Sequence, residues 1–368
     1  MTYKIKKMCK VLLILTVSFL LHCNCFAHHK IRLGIITIRD QNDSFFSAVV
    51  DFMRAACNNL NMDLVAIYAN DSYDYMSDNM ERLIAEKKID AMLVLNYKDQ
   101  LTKTVSTLEK NKIPFFIYNS GFSKVDYLKL KKTFKYFIGN MLPNDEYAGY
   151  LLAKTLIETS VPTAKGEYHM LVLGGGIIDQ ASVNRIKGLK KFISESKKKI
   201  IIDKIVYLNW SRTESVSAVK NLIHKYSNVT TLWAASDGMA LGASESIQHL
   251  KRKVTIGGID WTLDGVKAVN EQILTATVGG HFMEGAWISV LIYDYFHGIR
   301  FSQENEINFA SWMALINKNN SRKYFKFLMD KKSWEKIEFK KLSKAYNSKL
   351  KTYDFSQKNI QNLIFTEK

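Results

Sequence analysis

Short apolar runs alternate with amphipathic helical patterns along this chain, and the whole series occurs twice. The runs begin near residues 31, 63, 89 and 113, and again near 168, 200, 229 and 253. Continuous apolar runs that alternate with helices are typical of a parallel sheet, because helices cover both of its faces. The repetition at similar intervals therefore predicts an α/β protein built from two lobes of the same architecture.

Three later segments do not fit a simple tandem repeat. Residues 275–278 have the pattern of a strand, 286–296 that of a long helix, and 307–316 that of another extended run. We interpret them as return crossings, in which each lobe takes a late strand from the other half of the chain.

These patterns set the expected domain boundaries. The first lobe is predicted to comprise residues 30–138 and 262–300, and the second lobe residues 139–261 and 301–316. The remaining residues, 317–368, form a C-terminal extension whose 14 Lys and Arg outnumber its 5 Asp and Glu. Because the extension also contains several aromatic residues, we expect it to pack on one lobe with a solvated basic face.

The beginning of the chain has the three-part pattern of a secretory signal peptide. Lysines precede an apolar run at residues 11–21, and Cys25 and Ala27 are small residues placed before a cleavage point. The apolar run is shorter than the ~18 residues that a transmembrane helix needs. We therefore predict that residues 1–27 are a signal peptide and that the mature protein is exported to the periplasm. Cys57, the cysteine left after cleavage, has the helical spacing of a buried thiol.

Two aspartates lie within residues 232–261, each directly after or at the end of an apolar run. They are Asp237 and Asp260, and the carboxyl ends of neighbouring parallel strands face one crevice in such sheets. The two carboxylates are therefore expected side by side at this edge. Such a pair can be an acid/base couple, a metal site or a clamp for sugar hydroxyls, and these residues alone leave all three open.

Five short motifs lie in order along the chain: DSFF at 43–46, IP at 113–114, NRIKG at 184–188, SDGMALG at 236–242 and GID at 258–260. In this order they resemble the type I family of periplasmic sugar-binding proteins, which includes ribose, galactose and autoinducer-2 receptors. The resemblance covers residues 30–316. It implies two Rossmann-like lobes, joined by three hinge crossings, that close over a small ligand, in a monomer without a cofactor.

The same resemblance implies roles for particular side chains. Phe45 or Phe46 would stack on the apolar face of a sugar ring, and the other would belong to the core. Arg185 would donate to the sugar oxygens, and Asp237 and Asp260 would accept from its hydroxyls. Asp237 also fits a helix N-cap, and Arg185 also fits a surface arginine. The full set of candidate ligand-binding residues is Asp43, Phe45, Phe46, Asn119, Arg185, Asp237, Asp260, Trp261 and His281.

Two departures from the family leave the ligand open. Many members carry a glutamine after the strand at 275–278, where this chain has Gly279. The second arginine with which the autoinducer-2 receptor holds its ligand has no counterpart in this region. His281 can supply a polar contact or cap a helix, Trp261 offers a second stacking surface, and Trp210 is a weaker stacking candidate.

Other classes of protein fit the sequence less well. The glycines at 174–176 are not followed by the Lys-Ser/Thr of a phosphate-binding loop, and no metal-spaced histidine cluster accompanies the aspartates. The net charge of +17 would suit a nucleic-acid-binding protein, but a repressor of this fold needs an N-terminal helix-turn-helix where the signal peptide lies. We therefore expect no nucleic-acid partner. The favoured function is a periplasmic protein that presents a sugar to an ABC permease; the alternatives are a sensor subunit for a membrane kinase or cyclase and, last, an enzyme using the aspartate pair.

Overall fold

The computed structural model describes residues 30–130, 133–250, 253–301 and 308–365. The predicted signal peptide at residues 1–27 lies outside these ranges and stays a prediction. Among the helices that are described, none is both long and apolar enough to cross a membrane.

The described strands form two sheets of six strands each. They are β1 (Arg32–Thr37), β2 (Asp63–Tyr68), β3 (Ala91–Val94), β4 (Phe115–Tyr118), β5 (Phe137–Pro143), β6 (Glu167–Gly174), β7 (Lys199–Tyr207), β8 (Thr231–Ala234), β9 (Thr255–Asp260), β10 (Ala276–Gly279), β11 (Asn308–Ser311) and β12 (Ala314–Asn317). The first sheet has the order β11–β5–β4–β3–β1–β2 and its pairs are parallel. The second has the order β12–β10–β9–β8–β6–β7, in which β12 is antiparallel to β10. Each sheet and its helices form one lobe, which confirms the predicted α/β fold.

Helices cover the sheets because each presents an apolar stripe to them. They are α1 (Ser44–Asn59), α2 (Tyr73–Ala85), α3 (Leu101–Lys110), α4 (Lys124–Leu130), α5 (Asp145–Thr159), α6 (Gln180–Glu195), α7 (Arg212–Lys225), α8 (Asp237–Ile247), α9 (Leu263–Asn270), α10 (Glu284–Phe296), α11 (Ser321–Met329), α12 (Lys331–Trp334) and α13 (Gln357–Phe365), with 3-10 turns at His281–Met283 and Phe339–Leu342. In α1, for example, Val49, Phe52 and Met53 are fully buried. Cys57 on the same helix is also buried, as its spacing predicted.

The chain crosses between the lobes three times from β5 to β12. After β5 it enters α5, which packs on the second sheet. After β10 it returns through the first 3-10 turn to α10, which packs on α1 in the first lobe. Residues 312–313 then carry it from β11 in the first sheet to β12 in the second.

The lobe boundaries differ from those expected at three places. Residues 139–143 belong to β5 and pair with β4 in the first sheet. Residues 262–279 contain α9 and β10 of the second lobe. Residues 308–311 form β11 of the first sheet, so the run at 307–316 divides between two sheets. In each case the chain passes to the other lobe only after the strand (β5, β10 or β11) that was expected to follow the crossing. The apolar pattern marks a strand, but because both sheets share that pattern it does not indicate which sheet the strand joins.

We expected the C-terminal extension to pack on one lobe, but it contacts both lobes. Its helix α11 packs on α9 of the second lobe, and the rings of Tyr324 and Trp261 lie 4.6 Å apart. Farther along, Trp334 and Phe339 lie 5.2 and 5.6 Å from the ring of Phe52 in the first lobe. These aromatic contacts are the reason that so basic a segment is ordered, because they remove a large apolar area from water.

Candidate functional site

A cavity of about 440 Å³ lies between the carboxyl ends of the two sheets. Ligands of open α/β sheets bind at this edge. The first lobe contributes Asp43, Phe45 and Asn119 to its lining, and the second contributes Arg185 and Asp260. The sequence therefore predicted the position of the cavity, but not every residue that it assigned to the lining is there.

The N-terminus of α1 supplies the aromatic part of the lining. Asp43 caps this helix, since its Oδ1 accepts from the backbone N–H groups of Phe45 at 3.0 Å and Phe46 at 2.8 Å. This cap fixes both phenylalanines at the cavity. Phe46 is buried at 7% exposure, whereas Phe45 is half-buried and its ring lies 4.6 Å from that of His281. Phe45 is thus the more accessible stacking surface.

Arg185 is a buried cation that joins three segments of the second lobe. Its Nε donates to Asp145 Oδ1 at 2.7 Å, and its Nη1 donates to the Ala235 carbonyl at 2.6 Å and to Asp260 Oδ1 at 3.1 Å. Its Nη2 lies 3.3 Å from His281 Nε2. These contacts use four of the five guanidinium N–H groups, and the fifth is available to a ligand. The alternative of a surface arginine is wrong, because Arg185 is only 3% exposed.

Two glycines bring Arg185 to this position. A Cβ at Gly149 in α5 would lie 1.8 Å from the carbonyl oxygen of Arg185, and a Cβ at Gly188 in α6 would lie 1.8 Å from that of Glu146. Only glycine permits the two helices to cross this closely. The close crossing places Asp145, in the first turn of α5, within reach of the guanidinium.

Asp260 presents a carboxylate to the cavity from a strained backbone. Its φ is 140° and that of Trp261 is 63°, values that side-chain-bearing residues rarely adopt. Its Oδ1 accepts from Arg185, while its Oδ2 accepts no hydrogen bond from the described residues. Burial raises the pKa of Asp260 well above its usual range, although the charge and hydrogen bond of Arg185 act in the opposite direction. A Cβ at Gly279 would lie 2.4 Å from the Asp260 carbonyl carbon, so no larger residue can replace this glycine without a shift of the backbone.

His281 is a neutral, buried ring at the cavity. Burial lowers its pKa well below the usual range, and the positive charge of Arg185 acts in the same direction. With Nε2 facing the Arg185 donor, the ring proton belongs on Nδ1. Nδ1 is buried and has no hydrogen-bond partner among the described groups. A ligand oxygen that accepted from Nδ1 would remove the cost of this unpaired donor.

Asp237 does not line the cavity, contrary to expectation. It is fully buried, and its carboxylate accepts from Thr277 Oγ1 at 2.6 Å and from Thr262 N and Oγ1 at 2.9 and 3.2 Å. It is not the cap of α8 either, since Ser236 Oγ accepts from Met239 N. Burial raises the pKa of Asp237 to about 6. Asp237 is therefore a structural link between α8 and the strand–helix junctions beside it.

Trp261 is also outside the cavity lining. It is 4% exposed, its Nε1 donates to the Ala314 carbonyl at 2.9 Å, and its ring rests on Tyr324. The left-handed backbone turns consecutive residues to opposite sides, so Asp260 reaches the cavity and Trp261 the interior. The aromatic residue that does line the cavity from this lobe is Trp210, whose ring centroid lies 5.4 Å from Arg185 Cζ.

Sequence reasoning missed two acidic residues at the crossings. Asp145 holds Arg185, and Glu284 accepts from the Asn119 backbone N–H at 2.9 Å and from the Ser311 hydroxyl. Both are buried and both stand in the first turn of the helix that follows a crossing. Burial raises the pKa of Glu284 well above its usual range. An acidic residue in the first turn of a helix that follows a crossing is the sequence signal that could have identified Asp145 and Glu284.

The described residues contain no group of three or more His, Cys, Asp or Glu side chains arranged to hold a metal ion. The aspartate pair does not act as a unit either, because Asp237 is enclosed and Asp260 is not. The cavity is lined by the aromatic ring of Phe45, the buried cation of Arg185, the carboxylate of Asp260 and the neutral imidazole of His281. Such a lining suits the binding of a polar ligand with apolar faces.

Comparison with known proteins agrees with this geometry. A family model described as a periplasmic binding protein domain matches residues 33–295. The chain belongs to this family, and its fold is that of type I periplasmic binding proteins.

Individual relatives are distant. The HTH-type transcriptional repressor PurR of Vibrio atlanticus is 26% identical over 220 residues, which span 59% of this chain and 59% of the repressor. The ribose import binding protein RbsB of Haemophilus influenzae is 23% identical over 68% of this chain and 80% of its own length.

Solved structures show the same fold. A periplasmic sugar-binding protein from Pseudomonas fluorescens superposes with a TM-score of 0.78 and 21% identity, covering 88% of this chain and 97% of that one. A solute-binding protein from Actinobacillus succinogenes with bound D-allose superposes with a TM-score of 0.69 and 18% identity, covering 80% of this chain and 100% of that one.

Proposed function

We propose that this chain binds a sugar or sugar-like polyhydroxylated molecule in the cavity between its lobes. The observation that carries this proposal is the lining itself, in which the accessible Phe45 ring and the polar groups of Arg185, Asp260 and His281 surround one space. A sugar offers apolar C–H faces to a ring and hydroxyls to fixed donors and acceptors. Relatives named for ribose, and solved structures with bound D-allose and myo-inositol, support this class of ligand.

The mechanism follows from the two-lobed architecture. Phe45 belongs to one lobe and Arg185 and Asp260 to the other, so a ligand that touches all of them stabilises the closed arrangement. The ligand shifts the balance between open and closed states only by its greater affinity for the closed one. Arg39 of the first lobe already donates to the Asn209 carbonyl of the second at 3.1 Å across the cavity rim. Closure would therefore be a rotation about the crossings and not a change within either sheet.

The cellular role extends the same proposal. The chain is exported to the periplasm after cleavage at Ala27, acts as a monomer without a cofactor or catalytic activity, and presents its closed form to an ABC permease. Mass spectrometry of the secreted chain tests export, and a mature N-terminus other than His28 would contradict it.

A sensor role for a membrane kinase or cyclase is the second candidate, because both kinds of partner read the closure of the lobes. Loss of labelled-ligand uptake in a strain without this chain would favour transport, and unchanged uptake with a lost response to the ligand would favour sensing.

A thermal-shift screen of D-ribose, D-allose, myo-inositol and L-arabinose tests the ligand class. Binding should raise the melting temperature, and scattering should show a smaller radius of gyration with unchanged circular dichroism. Phe45→Ala should weaken the affinity by about tenfold through loss of ring stacking. Phe296→Ala serves as the control, since this phenylalanine is 40% exposed and lies on α10 outside the cavity. Tight binding that is insensitive to Phe45→Ala and produces no compaction would place the site elsewhere.

A further inference from the structure

The strained backbone at the end of β9 connects the cavity with the C-terminal extension. Asp260 lines the cavity, and the next residue, Trp261, packs on Tyr324 of the extension with ring centroids 4.6 Å apart. Left-handed backbone at two consecutive non-glycine residues persists only where the surrounding structure enforces it. Here Trp261 is held by the Tyr324 ring, by the hydrogen bond from its Nε1 to the Ala314 carbonyl and by the bond from its backbone N–H to Thr277 Oγ1. The extension thus supplies part of the force that holds the Asp260 carboxylate in place.

The second crossing repeats this arrangement. His281 lines the cavity, and the next residue, Phe282, lies 6.0 Å from the ring of Trp334 in the extension. Phe52 of α1 completes the aromatic cluster, with centroids 5.5 Å from Phe282 and 5.2 Å from Trp334. Because adjacent residues share a peptide bond, a shift of Phe282 moves the His281 ring as well. Among the described residues of the extension, 317–365, none lines the cavity itself.

We propose that the C-terminal extension is a positioning element of the ligand site. Tyr324 acts through Trp261 on Asp260, whose Oδ1 lies 3.6 Å from His281 Nε2, and Trp334 acts through Phe282 on His281. The extension also closes on itself, since Gln361 Nε2 donates to the Tyr324 hydroxyl at 2.8 Å. Ligand affinity therefore depends on residues of a segment that lies outside both lobes and beyond the 33–295 match to the family.

Matched variants of the full chain separate positioning from general stabilisation. Tyr324→Ala and Trp334→Ala remove the two contacts behind the cavity, and Tyr324→Phe keeps the ring. Phe355→Ala is the control, because Phe355 is a buried aromatic residue of the same extension, 8% exposed, whose ring contacts Trp287, Phe309 and Tyr353 and not Trp261 or Phe282. Trp334→Leu keeps much of the side-chain volume and replaces Trp334→Ala if that variant does not fold.

The first readout needs no ligand. The ring nitrogen signals of His281 in a chain labelled with ¹⁵N at histidine, assigned by their loss in His281→Gln, should shift or broaden in Tyr324→Ala and Trp334→Ala. They should be unchanged in Phe355→Ala, although its melting temperature also falls. Unchanged signals in both cavity-side variants would overturn the proposal and leave the extension a purely stabilising segment.

The second readout rests on the proposed function. For D-ribose, or whichever screened sugar binds, affinity should fall about tenfold or more in Tyr324→Ala and Trp334→Ala, the scale expected for residues coupled through direct contact. It should recover in Tyr324→Phe and stay unchanged in Phe355→Ala. Affinity that falls equally in Phe355→Ala would also overturn the proposal. If no sugar binds the unaltered chain, the proposed ligand class fails, whereas the histidine signals still decide whether the extension positions His281.

Discussion

Two aspartates at the ends of neighbouring strands have opposite surroundings. Asp237 follows β8 and is fully buried, with hydrogen bonds from Thr262 and Thr277. Asp260 ends β9, has a side chain that is 13% exposed, and shares Arg185 with Asp145 at the cavity. The two residues look equivalent in the sequence, and the sheet does place them at one edge.

The difference arises from what surrounds each carboxylate. A Cβ at Gly258 or Gly265 would lie 2.6 or 2.2 Å from the carboxylate oxygens of Asp237, so these glycines leave room for its side chain inside the lobe. Asp260 instead adopts a left-handed backbone that directs its side chain away from that interior. Position at the end of a strand therefore does not decide whether a carboxylate faces the cavity; the nearby donors and the backbone conformation decide it.

The largest effect is expected at the cation beside Asp260. Arg185→Met should destabilise the protein by about 3–5 kcal/mol, because it leaves the buried Asp145 and Asp260 without a positive partner. The sequence suggested that Arg185 lies on the surface or serves only the ligand. Because Arg185 is 3% exposed, we expect it to stabilise the fold as well. Lys187→Met on the same helix is the control, as Lys187 is 66% exposed and its salt bridge contributes little. Urea denaturation measures both. A loss below ~1 kcal/mol for Arg185→Met would mean that the carboxylates are neutral and need no cation.

Asp237→Ala should be the next most damaging change to stability. It removes the acceptor for Thr262 N–H and the Thr277 hydroxyl in a fully buried site, at a cost of about 3 kcal/mol. Ligand affinity of the folded variant should change little, because Asp237 does not line the cavity. Asp264→Ala, an exposed position in the first turn of α9, is the stability control. Calorimetry that finds affinity lost and stability kept would reverse the assignment of the two aspartates.

Asp260→Asn should show the complementary behaviour. The amide oxygen can still accept from Arg185, so stability should change by less than ~1 kcal/mol. Measured above the raised pKa of Asp260, where its carboxylate is ionised, affinity for the sugar should fall by about 2 kcal/mol, because a charge-assisted hydrogen bond to a ligand hydroxyl becomes a neutral one. Isothermal titration compares the variant with Asp264→Asn. Equal affinities would remove Asp260 from the ligand site.

The sequence was most informative where its signals are local. The apolar periodicity predicted both sheets, the edge rule placed Asp260 at the cavity, and the family resemblance pointed to Phe45 and Arg185, which also line it. The DSFF motif lies at the start of α1, where Asp43 is the cap.

The unpredicted features depend on contacts between distant segments. Arg185 and Asp145 are 40 residues apart, and Asn119 and Glu284 are 165 apart. No periodicity reports such pairs, because each residue taken alone is an ordinary polar or charged residue of a helix or loop. The burial of Asp237 was unpredictable for the same reason, since Thr277 joins it from a strand beyond the next helix.

The smallest effect concerns pH, and it distinguishes the two aspartates without a ligand. Burial raises the pKa of Asp237 from 3.8 to about 6 in the folded chain. Its contribution to stability is therefore fully present below the unfolded value near 3.8 and is lost as the pH rises through 6. Between pH 7 and pH 5 the unaltered chain should gain about 1 kcal/mol relative to Asp237→Asn, whose amide does not titrate. Urea denaturation of both chains at each pH measures this difference, with Asp264→Asn expected to follow the unaltered chain. A difference of opposite sign would mean that the hydrogen bonds from Thr262 and Thr277 outweigh burial and hold Asp237 charged.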